Sequence, residues 1–457
     1  MVSLPASLVG MSQQLERRAR ALSGIPAPVD RSRPWWRRLL TNPRLWISIV
    51  LAGVYFVGLW DQYWLLHPDR PLPDGKVALG LNNEALRTAA FYAMWTALVW
   101  TLLFVWLDRW RPQRLVVWLW ALGWGACVAT WVSIYINTWA GEMMAVQGDA
   151  ADTGARPAIF IAPFVEEASK ATVLFLLAML MRYQLVNRLN LVALAGLSAV
   201  GFAFTENIIY YARAFVFASN TIETGDPAAA MHNLVMLRGV WTSFAHPLFT
   251  AMTAIGLAIA LRTRSKWVRI VAPLAGFVAA ALLHMLFNGT VTLLPQNQLR
   301  NPYLMALTLV ASMVLFLLTT LFAEGRQIRN RLTDFVRMGW LEPRDPIVFS
   351  GPVKRVKLAV ASVFRGRRTF LATNRFMRGM TELAYLRDAT TRGVVDQAGI
   401  EREKELLYYL RDLRPAALTE TQGLRTFIWP FRRRPRFAPP PAYPGPSGIA
   451  GQWPARP

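Results

Sequence analysis

The sequence predicts an all-α fold: a polytopic transmembrane helical bundle of about eight spans with both termini cytoplasmic. Two observations carry the span count. The chain is 54% hydrophobic and only 17% charged, whereas a soluble domain carries roughly 25% charged residues. Its apolar residues gather into runs close to the roughly twenty needed to cross a bilayer. A third observation, the alternation of loop charge, sets the orientation.

The apolar runs are Leu45 to Leu66, Thr88 to Leu107, Leu115 to Trp139, Ile159 to Met181, Leu191 to Val216, Val240 to Leu261, Val268 to Leu294 and Tyr303 to Ala323. The first is the weakest, because Asp61 interrupts it, and the simplest place for that residue is a helix end at the interface. Arg109, Arg111 and Arg114 follow the second run, Arg182 and Arg188 the fourth, and Arg262, Arg264, Lys266 and Arg269 the sixth. The alternate loops carry Asp69, Asp74, Glu84, Glu142, Asp149, Asp152, Glu223 and Asp226 with few bases. Lys and Arg are retained on the cytoplasmic side, so both ends of the chain are expected there, in a multi-pass protein of the cell membrane.

The formal charge of +23 resembles a nucleic-acid footprint until it is located. Residues 1–44 hold eight Arg against Glu16 and Asp30, and residues 325–457 hold 25 Lys and Arg against 11 acids. Basic flanks beside spanning helices are accounted for by anionic headgroups, so the lipid bilayer is the expected partner and nucleic acid is not. Three parts follow: a basic arm over 1–44, the bundle over 45–323, and a basic tail over 324–457. The tail reads as helical over about 374–413 and as a Pro-rich disordered end. Cys127 is the single cysteine, which leaves no disulfide and no thiolate metal site. The first forty residues lack the pattern of a signal peptide, so membrane entry is expected to begin with the first span.

Ionisable side chains inside a span cost at least a few kcal/mol each and mark functional sites. Four consecutive spans carry them: Phe164-Val-Glu-Glu-Ala-Ser-Lys, Gly201-Phe-Ala-Phe-Thr-Glu-Asn, Ser243-Phe-Ala-His-Pro and His284-Met-Leu-Phe-Asn-Gly. Counted from the outer end of each span, Glu166, Glu167, Glu206, His246 and His284 fall in one layer roughly 9 to 15 Å deep. Small residues share the faces of two of them, as Ala195, Ala199, Ala203 and Glu206, and as Ala272, Gly276, Ala280, His284 and Asn288. Such stripes let helices approach closely in lipid, while Thr242, His246, Thr250 and Thr253 give a third polar face.

Blander readings exist for each residue. Glu166 and Lys170, four apart, can be an ion pair, Glu206 and Asn207 can be interhelical hydrogen-bond glue, and Arg238 an interfacial base. Six complementary groups in one layer favour a site. A buried carboxylate can act as general base, imidazoles can relay protons or bind metal, and an Asn amide can stabilise an oxyanion. A proton-coupled transporter or channel would use similar groups, commonly within two repeated halves, and no repeat is present. A scaffold would need no such cluster.

These four motifs, in this order, resemble the PrsW family of intramembrane proteases, related to the CAAX prenyl proteases, with the resemblance running over 158–294. It implies an endopeptidase cleaving a membrane-anchored substrate near the outer face, typically site-one cleavage of an anti-sigma factor. Glu166 and Glu167 would then be the water-activating pair, His246 and His284 the relay or metal ligands, and Asn288 the oxyanion donor. Lys170, Glu206, Asn207 and Arg238 would support them, with Arg238 contributing less from the outer boundary. Glu167, Glu206, His246 and His284 form the expected metal set, which suits a catalytic zinc. The same residues also suit a metal-free, glutamate-based site.

Overall fold

In a computed structural model the described residues are 32, 34–71, 77–145, 155–181, 184–185, 187–221, 225–394 and 397–418. The basic arm, apart from its last residues, and the Pro-rich end lie outside them. Two units divide the chain, residues 26–317 and the part from Leu318 onward.

The first unit is a helical bundle. A short α1 (Trp35–Leu40) leads to α2 (Pro43–Leu66), α3 (Asn83–Leu107), α4 (Leu115–Gly123) and α5 (Thr130–Ala145). Then come α6 (Ala162–Met181), α7 (Arg188–Ser219), α8 (Pro227–Leu234), α9 (Ala245–Leu261), α10 (Lys266–Leu293) and the start of α11 (Arg300–Arg337). Between α2 and α3 a two-residue antiparallel pair joins β1 (Arg70–Pro71) to β2 (Val77–Ala78). Asn42, Asn82, Asn187 and Ser265 cap α2, α3, α7 and α10, each side chain accepting from a backbone N–H of the first turn, where four such donors have no helical partner.

Among the described residues seven helical stretches are long and apolar enough to cross a membrane. An eighth, α6, has the 20-residue length but carries Glu166, Glu167 and Lys170. The span missing from the seven is therefore the one loaded with charge, not one short of apolar residues. The sixth span starts earlier than its hydropathy indicates. It runs from Pro227 through α8 and a π-helical turn, Val235–Trp241, breaks at 242–244 and resumes as α9.

At the centre stands α7, packed against α3, α4, α9 and the π-helical segment Trp124–Ala129 that joins α4 to α5. Its Ala193, Ala195, Ala199 and Ser198 are fully buried. Outer helices instead expose residues such as Phe56, Trp95, Leu102, Ile270 and Leu286, an arrangement stable in lipid and unfavourable in water. Close approach explains the glycines. A Cβ on Gly201 would lie 1.9 Å from the Leu122 carbonyl oxygen, and one on Gly125 1.8 Å from that of Ser198. On the other side of the bundle, a Cβ on Gly256 would strike the Ala272 carbonyl, and one on Gly276 that of Met252, so the small stripe of α10 faces α9.

Gly201→Ala should therefore destabilise the bundle by about 1–3 kcal/mol, the usual range for overpacking. Gly141→Ala is the control, because a Cβ there meets nothing within 4 Å. Thermal midpoints of detergent-purified variants check this, and equal midpoints would contradict the packing.

Among the described residues of this unit there are three π-helical turns, Trp124–Ala129, Pro157–Ile161 and Val235–Trp241. In a π turn the ladder of backbone bonds is disturbed, and here side chains from other helices bond the carbonyls. Gln62 donates to Cys127 at 3.1 Å, Thr205 to Ala126 at 2.8 Å, Asn288 to Ala158 at 2.8 Å and Thr96 to Gly239 at 2.9 Å. Asp61 is also satisfied, accepting from Trp131 Nε1 at 2.8 Å and the Tyr135 hydroxyl at 2.6 Å.

The second unit packs the end of α11 with α12 (Asp345–Phe349), α13 (Pro352–Val363), α14 (Arg367–Thr391) and α15 (Gln397–Ala417). The stretch read as helical over 374–413 spans α14 and α15. Phe335, Phe349, Phe376, Met380 and Leu410 are buried there. Polar links join the helices: Tyr385 donates to Glu324, Arg331 to Asp388 at 3.2 Å, and Arg414 to both oxygens of Asp345 at 2.8 and 3.0 Å. Burial pushes the Arg355 guanidinium down to about 10, which leaves it charged at neutral pH as it donates to Thr381 at 2.6 Å.

Candidate active site

The charges of four spans meet in one place. Glu166, Glu167 and Lys170 come from α6, Glu206 and Asn207 from α7, His246 from the first turn of α9, and His284 and Asn288 from α10. Arg238 comes from the π turn ahead of α9. Adjacent residues on a helix point about 100° apart, so Glu166 and Glu167 have different surroundings.

Glu167 is enclosed. Its Oε1 receives Lys170 Nζ at 2.5 Å and His284 Nδ1 at 3.1 Å, and its Oε2 receives the Thr250 hydroxyl at 2.8 Å. Lys170 and Glu167 are both fully buried. The i,i+4 ion pair between Glu166 and Lys170 expected from spacing is thus replaced by an i,i+3 pair with Glu167. Lys170 turns inward, 4.5 Å over the Phe202 ring and 3.2 Å from His246 Nδ1. A lysine ammonium has donors and no acceptor, so His246 Nδ1 accepts this bond. His246 Nε2 then carries the hydrogen and donates to Glu206 Oε2 at 2.9 Å.

Glu206 also accepts from Arg238, whose Nε donates to Asn207 at 2.9 Å and whose guanidinium lies over Tyr210. Arg238 is therefore built into the site, with only 25% of its side chain exposed, rather than standing at the outer boundary. Arg238 lies within the π turn, whose phase a count of residues along a regular helix does not give.

Glu166 is the exception. Its Oε1 accepts a long bond from Asn137 Nδ2 at 3.4 Å, and its buried Oε2 has no hydrogen-bond partner, lying 3.8 Å from His284 Nε2. Three carboxylates stand against two permanent cations, and the unmatched charge falls on Glu166. An unpaired buried carboxylate calls for a proton or a cation. Ligand atoms of Glu166, His246 and His284 all lie within 4.8 Å of one another. Two imidazoles and a carboxylate are a donor set of catalytic metal sites, so these residues fit an ion. This trio differs from the expected set. His246 and His284 stay and Glu166 joins them, while Glu167 and Glu206 are taken up by Lys170 and Arg238; both ring nitrogens of His246 are also engaged, by Lys170 and Glu206, and an ion would have to displace one of them.

A cleft of about 1410 Å³ opens onto Glu166, Glu206, Asn207, Arg238, His246, His284 and Asn288. Glu167 and Lys170 are absent from its lining and sit behind it. Small-molecule pockets occupy about 300–1,000 Å³, so this cleft has room for a length of polypeptide. Asn137, which also lines it, gave no signal in the sequence. A lone Asn near a span end is ordinary, and its relation to Glu166 emerges only when α5 packs on α6.

Buried carboxylates and imidazoles line a cleft within apolar helices, the groups that a membrane-embedded hydrolase requires. No curated protein and no solved structure matches the chain. Residues 111–319, a little under half of the chain, match the model of the PrsW family intramembrane metalloprotease. The chain is a multi-pass membrane protease acting on membrane protein substrate, and the match extends beyond 158–294 to include the third span and most of the eighth.

Proposed function

We propose that the chain cleaves a membrane-anchored protein near the outer membrane face, with Glu166 as the carboxylate that takes the proton of the attacking water. The observation that carries this reading is the unpartnered Glu166 Oε2 in the cleft beside His284. Glu167, saturated with donors, holds Lys170 and the Nδ1–H tautomer of His284, which leaves His284 Nε2 with its lone pair toward Glu166. Carboxylate partners commonly orient a histidine in this way. Glu206 holds His246 and Arg238 at the rim. Asn288 spends one amide hydrogen on the Ala158 carbonyl, and its second can donate to the developing oxyanion.

Glu166 and His284 would hold the metal, with His246 joining them on exchanging its Lys170 contact at Nδ1 for the ion. An ion held there, zinc by the chemistry of these donors, would supply Lewis acidity toward the scissile carbonyl and the attacking water. Site-one cleavage of an anti-sigma factor is the substrate class that the resemblance supports. Membrane proteomics of cells carrying wild-type or Glu166→Ala protein tests the activity. Released ectodomain fragments should appear with the wild type alone, and identical fragment sets would overturn the reading.

The proposed outer-face position depends on cytoplasmic termini. Reporter fusions at Gly325 and within 148–153, a segment outside the described residues, should then report opposite sides of the membrane. The same side for both would remove the common depth of the site residues.

A further inference from the structure

In the unit from Leu318 onward, α13 has a face that packing leaves uncovered. Val353, Val356, Val360, Val363 and Phe364 are all exposed, from 43% at Val360 to 79% at Phe364. Their spacing puts them on one stripe about 100° wide. The opposite face is tied down, with Arg355 and Ser362 buried and Arg355 bonded to Thr381 of α14. Gly351 and Gly366, the latter with φ of +98°, close the helix at both ends.

The charge beside this stripe has one sign. Between Pro352 and Arg368 there are six Lys and Arg and no acidic residue. Lys354, Lys357, Arg365, Arg367 and Arg368 are all exposed. By helical rotation Lys357 and Lys354 follow one edge of the stripe. A protein partner would be expected to meet apolar side chains with mixed polar groups, whereas an apolar stripe edged only by bases matches an anionic lipid surface. Along the chain, α13 follows the end of α11, a candidate spanning helix, after 14 residues.

We propose that α13 is an interfacial helix, lying in the plane of the membrane with Val353, Val356, Val360, Val363 and Phe364 among the acyl chains. Its basic residues then contact anionic headgroups. The tail is thereby held on the bilayer surface in a manner set by lipid charge.

The test uses the full chain with Val356→Cys, spin-labelled, one copy per nanodisc. Cys127 is buried, so the label has one accessible thiol. In discs rich in phosphatidylglycerol, the relaxation caused by a water-soluble nickel chelate should be several-fold weaker than in pure phosphatidylcholine, while that caused by oxygen rises. Changing Lys354, Lys357, Arg367 and Arg368 together to Gln should abolish the difference between lipids. Equal exposure to the chelate in both lipids would overturn the proposal. So would shielding that appears only when two copies share a disc, which would assign the face to a second copy.

Discussion

Glu166→Gln is expected to reduce kcat/KM by about 10²–10⁴, the range for loss of a positioned general base, with little change in thermal midpoint. Gln is nearly the same size and keeps an oxygen for Asn137, so the packing of α5 on α6 survives. What disappears is the capacity to accept a proton and the negative charge facing His284 Nε2. Stability should hold, because Oε2 has no partner to lose. Cleavage of a purified membrane-anchored substrate gives the rate, and metal analysis of the same sample divides the role. Metal lost together with activity would show that Glu166 helps to hold the ion as well as taking the proton, whereas metal retained would leave it the base alone. Wild-type cleavage by Glu166→Gln would remove it from the chemistry altogether.

Lys170→Met should have the largest effect on folding. Removing one member of a buried ion pair costs about 3–5 kcal/mol, because the remaining charge is left without its counterion. Lys170 and Glu167 are fully buried and 2.5 Å apart, and Met fills similar volume, so the loss is one of charge rather than shape. Adding Glu167→Gln removes the stranded carboxylate. The double variant should therefore recover part of the stability that Lys170→Met loses, a coupling of the kind double-mutant cycles measure. Unfolding of detergent-solubilised protein supplies the comparison. A double variant no more stable than Lys170→Met alone would show that the pair acts as two separate groups.

Hydropathy revealed most of the bundle because lipid makes one demand on every span. That demand also betrayed the site: charges tolerated inside four consecutive spans had to be satisfied by one another. Depth and spacing brought Glu166, Glu167, Glu206, His246 and His284 together, yet they carry no record of which carboxylate receives which cation. Spacing favoured Lys170 with Glu166, and packing against Phe202 and Thr250 chose Glu167. Arg238 looked peripheral because its span begins in a polar stretch, with Asp226 capping α8, below the hydropathy of a membrane run. Asn137 was beyond reach for another reason, since its importance lies wholly in a contact across helices. In the tail, α13 escaped notice because its valines alternate with bases, which lowers mean hydropathy while sharpening the division between faces.

The three π turns have a consequence for the phase of the winding. An α-helix advances about 100° per residue, and a π turn admits an extra residue without extending the helix by a full step. Shortening Val235–Trp241 by one residue would let it tighten to α and would swing Arg238 by about that angle relative to His246. The contact with Glu206 would be broken with every site residue still present. The same applies to Pro157–Ile161, just ahead of Glu166. Around this site a single deleted residue in an apolar turn is therefore as damaging as the loss of a charged side chain.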